Sequence, residues 1–222
     1  MMNNLFSIFD PSTSMNFPMN WISTLIIIMI IPFMYWIIPS RYQFFWFKIS
    51  NFLMNELYNN FSKKNLKFMI LFISIFWFIL VSNFMGLFPY IFTPTSHINL
   101  TSMLAFPFWL TLMIFGWINL TNHMFLHLVP LGTPLLLSTF MVCIETISNM
   151  IRPITLAIRL SANMISGHLL ICLLSNTIFS LNSVFPMVAP FLIILLSLET
   201  AVALIQSYVF TTLIILYLNE IN

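Results

Sequence analysis

Five long apolar stretches, separated by short polar clusters, set the pattern of this chain. Trp21–Ile38, Phe68–Phe88 and Met103–Asn119 each approach the roughly 20 residues a helix needs to cross a bilayer. A fourth runs from Pro134 to about Ile178, and a fifth from Pro186 or Pro190 to Leu218. The runs are continuous rather than short alternations. Backbone groups in lipid must bond within their own segment, so the pattern predicts helices and not a barrel. Trp21, Tyr35 and Trp36 stand near the ends of the first stretch as interfacial anchors. Pro32 can kink it, and Pro39 with Arg41 ends it. Gly86 and Pro89 close the second.

The fourth stretch is too long for a single upright crossing. Some 45 residues at 1.5 Å each make roughly 67 Å of helix, against about 30 Å of hydrocarbon. An unbroken helix would lie about 60° from the membrane normal, beyond the usual limit of about 40°. It therefore breaks, with Pro153 and Gly167 as candidate sites, or lies steeply tilted against a partner. Thr133 and Pro134 in LVPLGTP read as an N-cap followed by a first-turn proline. Ser180–Ser183 reads as the turn into the fifth stretch.

Residues 41–67 follow a different pattern. Phe44, Phe45, Phe47, Phe52, Leu53, Leu57 and Phe61 are interleaved with Lys48, Glu56, Lys63, Lys64 and Lys67, which suits a helix lying in the interface. Residues 1–20, with Pro11 and Pro18, read as a short interfacial arm. The expectation is one membrane domain of the all-α class: an arm (1–20), a first span (21–38), an interfacial segment (41–67), two spans (68–122) and a tilted helical hairpin (134–220). Of seven basic residues, five lie in 41–67. The positive-inside rule puts that segment on the side of synthesis, with the amino terminus opposite and, after five crossings, the carboxyl terminus on the positive side.

Composition agrees. The chain of 222 residues is 60% hydrophobic and 5% charged, whereas a soluble domain is about 25% charged. A net charge of +2 is too small to imply a nucleic-acid partner. Cys143 and Cys172, isolated in apolar helix, read as small buried hydrophobes. No basic or Arg-rich presequence opens the chain. Richness in Phe, Ile, Met and Asn suits AT-rich codons and an organelle genome. His123 and His127 have the spacing of a metal-binding pair, but at a helix end without a carboxylate between them they read as interfacial polar residues.

The chemistry concentrates in ETISNMIRPITLAIRLSANMISGHLL, residues 145–170, where Glu145, Arg152, Arg159 and His168 interrupt an apolar helix. An ionisable group at bilayer depth costs roughly 2.5–3.5 kcal/mol on insertion scales and is functional by default. If the last two stretches form an antiparallel hairpin turning at Asn182–Ser183, residues at one depth have numbers summing to about 365. Arg159 is then level with Gln206, His168 lies near the level of Glu199, and Glu145 meets Glu220. At 100° per residue Asn163 lies about 40° from Arg159 and Ser166 about 20° on the other side. His168 falls nearly opposite, which calls for a kink or a wide polar surface. Arginine stays charged and cannot relay a proton, whereas Glu and His can. The pattern is a fixed cation at mid-depth with titratable groups displaced toward each side, as two half-paths separated by a barrier. No acid of this chain is level with Arg159, so a carboxylate partner must come from another chain, or the charge stays uncompensated. Arg152 reads as snorkelling or pairing with Glu145.

At these residues the chain resembles subunit a of the F-type ATP synthases, in the form that insect mitochondria encode. CIETISNMIRPITLAIRLSANMISGHLL and LETAVALIQSYVFTTLIILYL carry the resemblance, and MMNNLFSIFDPS, MGLFPYIFTPTSH and HLVPLGTP extend it over nearly the whole chain. Leu131 departs from it, standing where the family often has Gln. The resemblance implies a hairpin packed against a rotating ring of c subunits, with other stator subunits nearby and protons as the transported ion. It implies that Arg159 is the essential arginine that engages the ring carboxylate. His168 and Glu199 would form the inlet half-channel from the intermembrane space, Glu145 and more weakly Glu220 the matrix half-channel, and Asn163 and Gln206 the polar neighbours of the arginine. The amino terminus would face the intermembrane space of the mitochondrial inner membrane and the carboxyl terminus the matrix. No catalytic site, cofactor or metal is expected, and no Gly-rich phosphate loop occurs. Two rival classes weigh against this. A secondary transporter with Arg159 as its anion site would show inverted repeats, and none is visible. A redox protein would pair His residues at one depth, and His168 has no such mate.

Overall fold

The computed structural model describes residues 5–13, 17–32, 35–60, 66–129, 134–180 and 185–221. The elements are helical: α1 (Ser23–Ile30), α2 (Arg41–Asn60), α3 (Met69–Gly86), α4 (Ile98–Asn119), α5 (Thr121–Leu128), α6 (Leu135–Ser180) and α7 (Phe185–Ile221), with short 3-10 turns at Leu5–Phe9, Met19–Ile22, Leu66–Phe68 and Pro94–Ser96. Four of them, α3, α4, α6 and α7, are long and apolar enough to cross a membrane. The fifth apolar segment is shorter, Met19–Ile30. The first span, expected over 21–38, has its regular helix end at Ile30 because Pro32 has no N–H to donate and disfavours helix in the residue before it. Together these helices make a polytopic all-α membrane protein.

Two boundaries differ from the sequence pattern for a physical reason. α4 begins at Ile98, not Met103, and so takes in Asn99, Thr101 and Ser102. Thr101 and Ser102 hydrogen-bond back to the carbonyls of Ile98 and Asn99 at 3.0 and 2.9 Å, which satisfies their hydroxyls inside an apolar helix. α6 runs unbroken for 46 residues through both Pro153 and Gly167. Pro153 is buried in the helix interior. Its missing N–H leaves the Asn149 carbonyl without a helical donor, yet the helix continues. At 1.5 Å per residue α6 is roughly 69 Å long, more than twice the hydrocarbon thickness. The proposed cap at Thr133, the residue Leu131, Lys63 and Lys64 lie outside the described residues; of the turn read at Ser180–Ser183, Ser180 is the last residue of α6 and the rest lies outside them.

Lipid tails are as apolar as leucine, so helices in a membrane hold together by close approach at small residues. α4 packs on α6, α3 on α7, and α6 on α7. At these contacts Ala105, Ala157, Ser161, Ala203, Ser207 and Thr211 are all buried. The hydroxyls of Ser161, Ser207 and Thr211 bond to carbonyls three or four residues back on their own helices, so no donor is left open. Larger side chains fill the layer between them, with Ile79, Leu160 and Ile215 buried among Phe72, Ile75, Phe210 and Leu218. α2 joins at one side, where Trp46 stacks on Trp77 of α3 with ring centroids 3.9 Å apart. Phe44, Phe45, Phe47 and Phe52 of α2 remain exposed.

Candidate functional site

α6 and α7 are antiparallel, and three polar contacts fix their register. Gln206 of α7 is buried and donates through Nε2 to the backbone carbonyl of Arg159 at 2.6 Å. Its Oε1 accepts from Asn163 Nδ2 at 3.1 Å. Arg152 is paired across the two helices with Glu220. Both orphan groups of Gln206 are thereby satisfied, which is why a buried amide is tolerated in this interface. The pairing of Arg159 with Gln206, inferred from the sums of residue numbers, is a direct contact.

Arg159 is exposed, on a face of α6 that also exposes Ile151, Ile154, Ile158, Ala162, Asn163 and Ser166. Among the described residues no carboxylate lies within ion-pair distance of it; the ion pairs found belong to Arg152. Leu156, Leu160 and Met164, which are buried, occupy the opposite side of the helix.

A cavity of about 540 Å³ opens on one side of the Arg159 level. Its lining includes Asn163, Ser166, His168 and Glu199 among apolar residues of α6 and α7. His168 is half-buried and Glu199 buried. His168 Nε2 and Glu199 Oε1 are buried without a hydrogen-bond partner among the described residues. Both residues line the one cavity, so their unsatisfied polar atoms lie close to its wall. Gly167 makes the geometry possible. A Cβ at that position would lie 2.5 Å from Glu199 Oε1 and 2.8 Å from its carboxyl carbon. The absent side chain lets the carboxylate lean on α6, one residue from the imidazole. The amino-terminal arm closes this side: the ring of Phe9 stands edge-on to His168, centroids 6.3 Å apart. The next residue, Asp10, is exposed, and hydrogen bonds from the backbone N–H and hydroxyl of Ser12 hold its carboxyl below the ordinary range.

A second cavity, of about 290 Å³, lies toward the other ends of the helices and is lined by Glu145, Asn149, Arg152, Tyr217 and Glu220 with Trp109 of α4. The level of Arg159 falls between the two cavities. The sequence reading gave Arg152 a role only near Glu145, which it does approach, at 3.7 Å. Its contact with Glu220, 68 residues away, was not foreseen, although the hairpin register placed Glu220 level with Glu145. His168 needs no kink in α6: on an unbroken helix it faces the first cavity while Arg159 faces outward. His123 and Cys143 stand apart from both cavities, and no group of three metal-ligating side chains occurs among the described residues. A buried polar group the sequence pattern does not single out is Asn83 of α3, fully buried with neither amide atom bonded among the described residues.

The comparisons with known proteins agree along the chain. Residues 17–219 match the family of the ATP synthase A chain. Over the full length of both chains the protein is 55% identical to ATP synthase subunit a of Drosophila melanogaster. It is 54% identical to that of Locusta migratoria and 53% to that of Anopheles quadrimaculatus, again with 100% of each chain covered. The family match spans the five apolar stretches, the hairpin and every polar residue of the two cavities save Glu220: the chain belongs to the ATP synthase A chain family.

Proposed function

We propose that this chain is the proton-conducting stator subunit of ATP synthase in the mitochondrial inner membrane. One observation carries the reading. Arg159, permanently charged, is exposed on an apolar helix face with no carboxylate of the described residues within ion-pair distance, between two cavities that each hold titratable groups. The relatives are named as ATP synthase subunits, which supports an assembly that brings the missing carboxylate. In this reading a ring of c subunits packs on the exposed face of α6. Its carboxylate meets Arg159 in mid-membrane, loses its proton toward the Glu145 and Glu220 cavity, and is reprotonated from the cavity of His168 and Glu199. Asn163 and Gln206 hold the backbone and neighbourhood of the arginine. The chain has no catalytic site of its own and no cofactor; ATP chemistry belongs to partner subunits.

Cross-linking tests the ring face. With Cys143 and Cys172 replaced by serine, a cysteine at Ala162, exposed beside Arg159, should form a disulfide with one on the outer helix of the ring subunit. A cysteine at Ala157, which is 3% exposed, should not. The reverse result would show that another face meets the ring.

Orientation follows from the basic residues of 41–67, which place that segment in the matrix, the amino terminus in the intermembrane space and the carboxyl terminus in the matrix. A membrane-impermeant maleimide should label Lys67→Cys in inverted inner-membrane vesicles and leave it unlabelled in mitochondria lacking only the outer membrane. Labelling in the latter would refute the assignment.

A further inference from the structure

The second cavity contains two carboxylates and one cation, and the cation does not treat them alike. Arg152 Nη1 donates a hydrogen bond to Glu220 Oε2 across the α6–α7 interface. Its Nη2 lies 3.7 Å from Glu145 Oε1, beyond hydrogen-bonding distance. The guanidinium carbon sits 5.0 Å over the Tyr217 ring, which holds its plane. The remaining lining side chains, Trp109 and Asn149 among them, do not titrate. Arginine's fork is rigid and its charge permanent, so a committed hydrogen bond on one side fixes what the other side can reach.

We infer that Arg152 is a positioning residue that sorts the two carboxylates: Glu220 is its bound counter-ion, and Glu145 is left as the group that accepts the departing proton. This rests on the half-channel reading above. The step balances with no further reactant. The O–H bond of the ring carboxylic acid breaks, an O–H bond forms on Glu145, and that proton then passes to matrix water, restoring the carboxylate. Glu220 is tied to Arg152 through Oε2, whereas neither oxygen of Glu145 is hydrogen-bonded to that guanidinium. The side chain of Arg152 is 28% exposed, that of Glu145 39% and that of Glu220 55%. Exposure alone would favour Glu220 as the outlet group; the contact with Arg152 reverses that order.

The test uses the whole ATP synthase reconstituted in vesicles, with turnover expressed per assembled complex. Glu145→Gln should lower proton-driven ATP synthesis by roughly tenfold or more, as for loss of a positioned proton acceptor. Glu220→Gln should lower it far less. Arg152→Gln should lower it too, because both carboxylates are then left without a cation. The double variant Arg152→Gln with Glu220→Gln should recover most of that loss, and Arg152→Lys part of it. A second readout is independent of turnover. A water-soluble carbodiimide with an amine nucleophile should modify Glu145 in the native enzyme and spare Glu220, and in Arg152→Gln it should modify both. Equal losses in the two glutamate variants, or equal labelling in the native enzyme, would overturn the sorting. A drop in assembled complex with unchanged turnover in Arg152→Gln would reduce Arg152 to a tie between helices. Arg159→Ala measured in parallel separates the failures. If that variant stayed coupled, the half-channel reading itself would fall, whatever Arg152 does.

Discussion

Arg159→Ala is expected to abolish proton-driven ATP synthesis and to open a passive proton leak through the membrane sector. Two physical effects meet at this residue. A unit charge 4 Å from a carboxylate interacts by about 4 kcal/mol at an effective dielectric of about 20, equivalent to roughly three pKa units. A protonated ring carboxylate that arrives beside Arg159 is therefore driven to ionise. The same charge repels a proton that would otherwise pass from one cavity to the other without turning the ring. Alanine removes both. Arg159→Lys keeps the charge but not the planar fork, and a buried lysine can deprotonate. It should lose synthesis while leaking less. The measurement is ATP synthesis beside passive proton flux in reconstituted vesicles. Normal coupled synthesis in Arg159→Ala would sink the proposed function.

The first cavity should behave in the opposite manner. Glu199→Gln and His168→Ala are each expected to slow proton flow by roughly tenfold to a hundredfold without uncoupling it, because a positioned proton-transfer group is worth about that much or more while the Arg159 barrier stays in place. Gly167→Val should mimic Glu199→Gln although it replaces no titratable group. Its side chain would start 2.5 Å from Glu199 Oε1 and push the carboxylate out of the cavity. A large leak in any of the three, with the ring stalled, would mean that these residues hold the barrier rather than the inlet.

The hairpin register was legible because polar residues in an apolar helix must find one another. Gln206 meets the backbone of Arg159, and Glu145 and Glu220 both approach Arg152, since an unmatched group there would be costly. The unbroken course of α6 was one of two open alternatives. Length alone cannot decide whether Pro153 breaks a helix, because neighbouring helices can compensate for the lost hydrogen bond. The early start of α4 was hidden by Asn99, Thr101 and Ser102, which look like loop residues until their hydroxyls bond back into the helix. The short helix of Met19–Ile30 was hidden by the apolar residues that continue past Pro32. The role of Gly167 could not be read from sequence at all, because it depends on which side chain leans on it from α7.

The bare guanidinium on the outer face of α6 also bears on how the chain comes to exist. On the proposed function, a newly inserted chain presents Arg159 to lipid until a carboxylate-bearing partner arrives, at roughly 2.5–3.5 kcal/mol on insertion scales. That is a sizeable share of the 5–15 kcal/mol or so by which a folded domain outlasts its unfolded form. Anything that binds only the folded chain stabilises it by mass action. The durability of this subunit is then set during biogenesis by the supply of its partner, and a chain made in excess is intrinsically the less stable species.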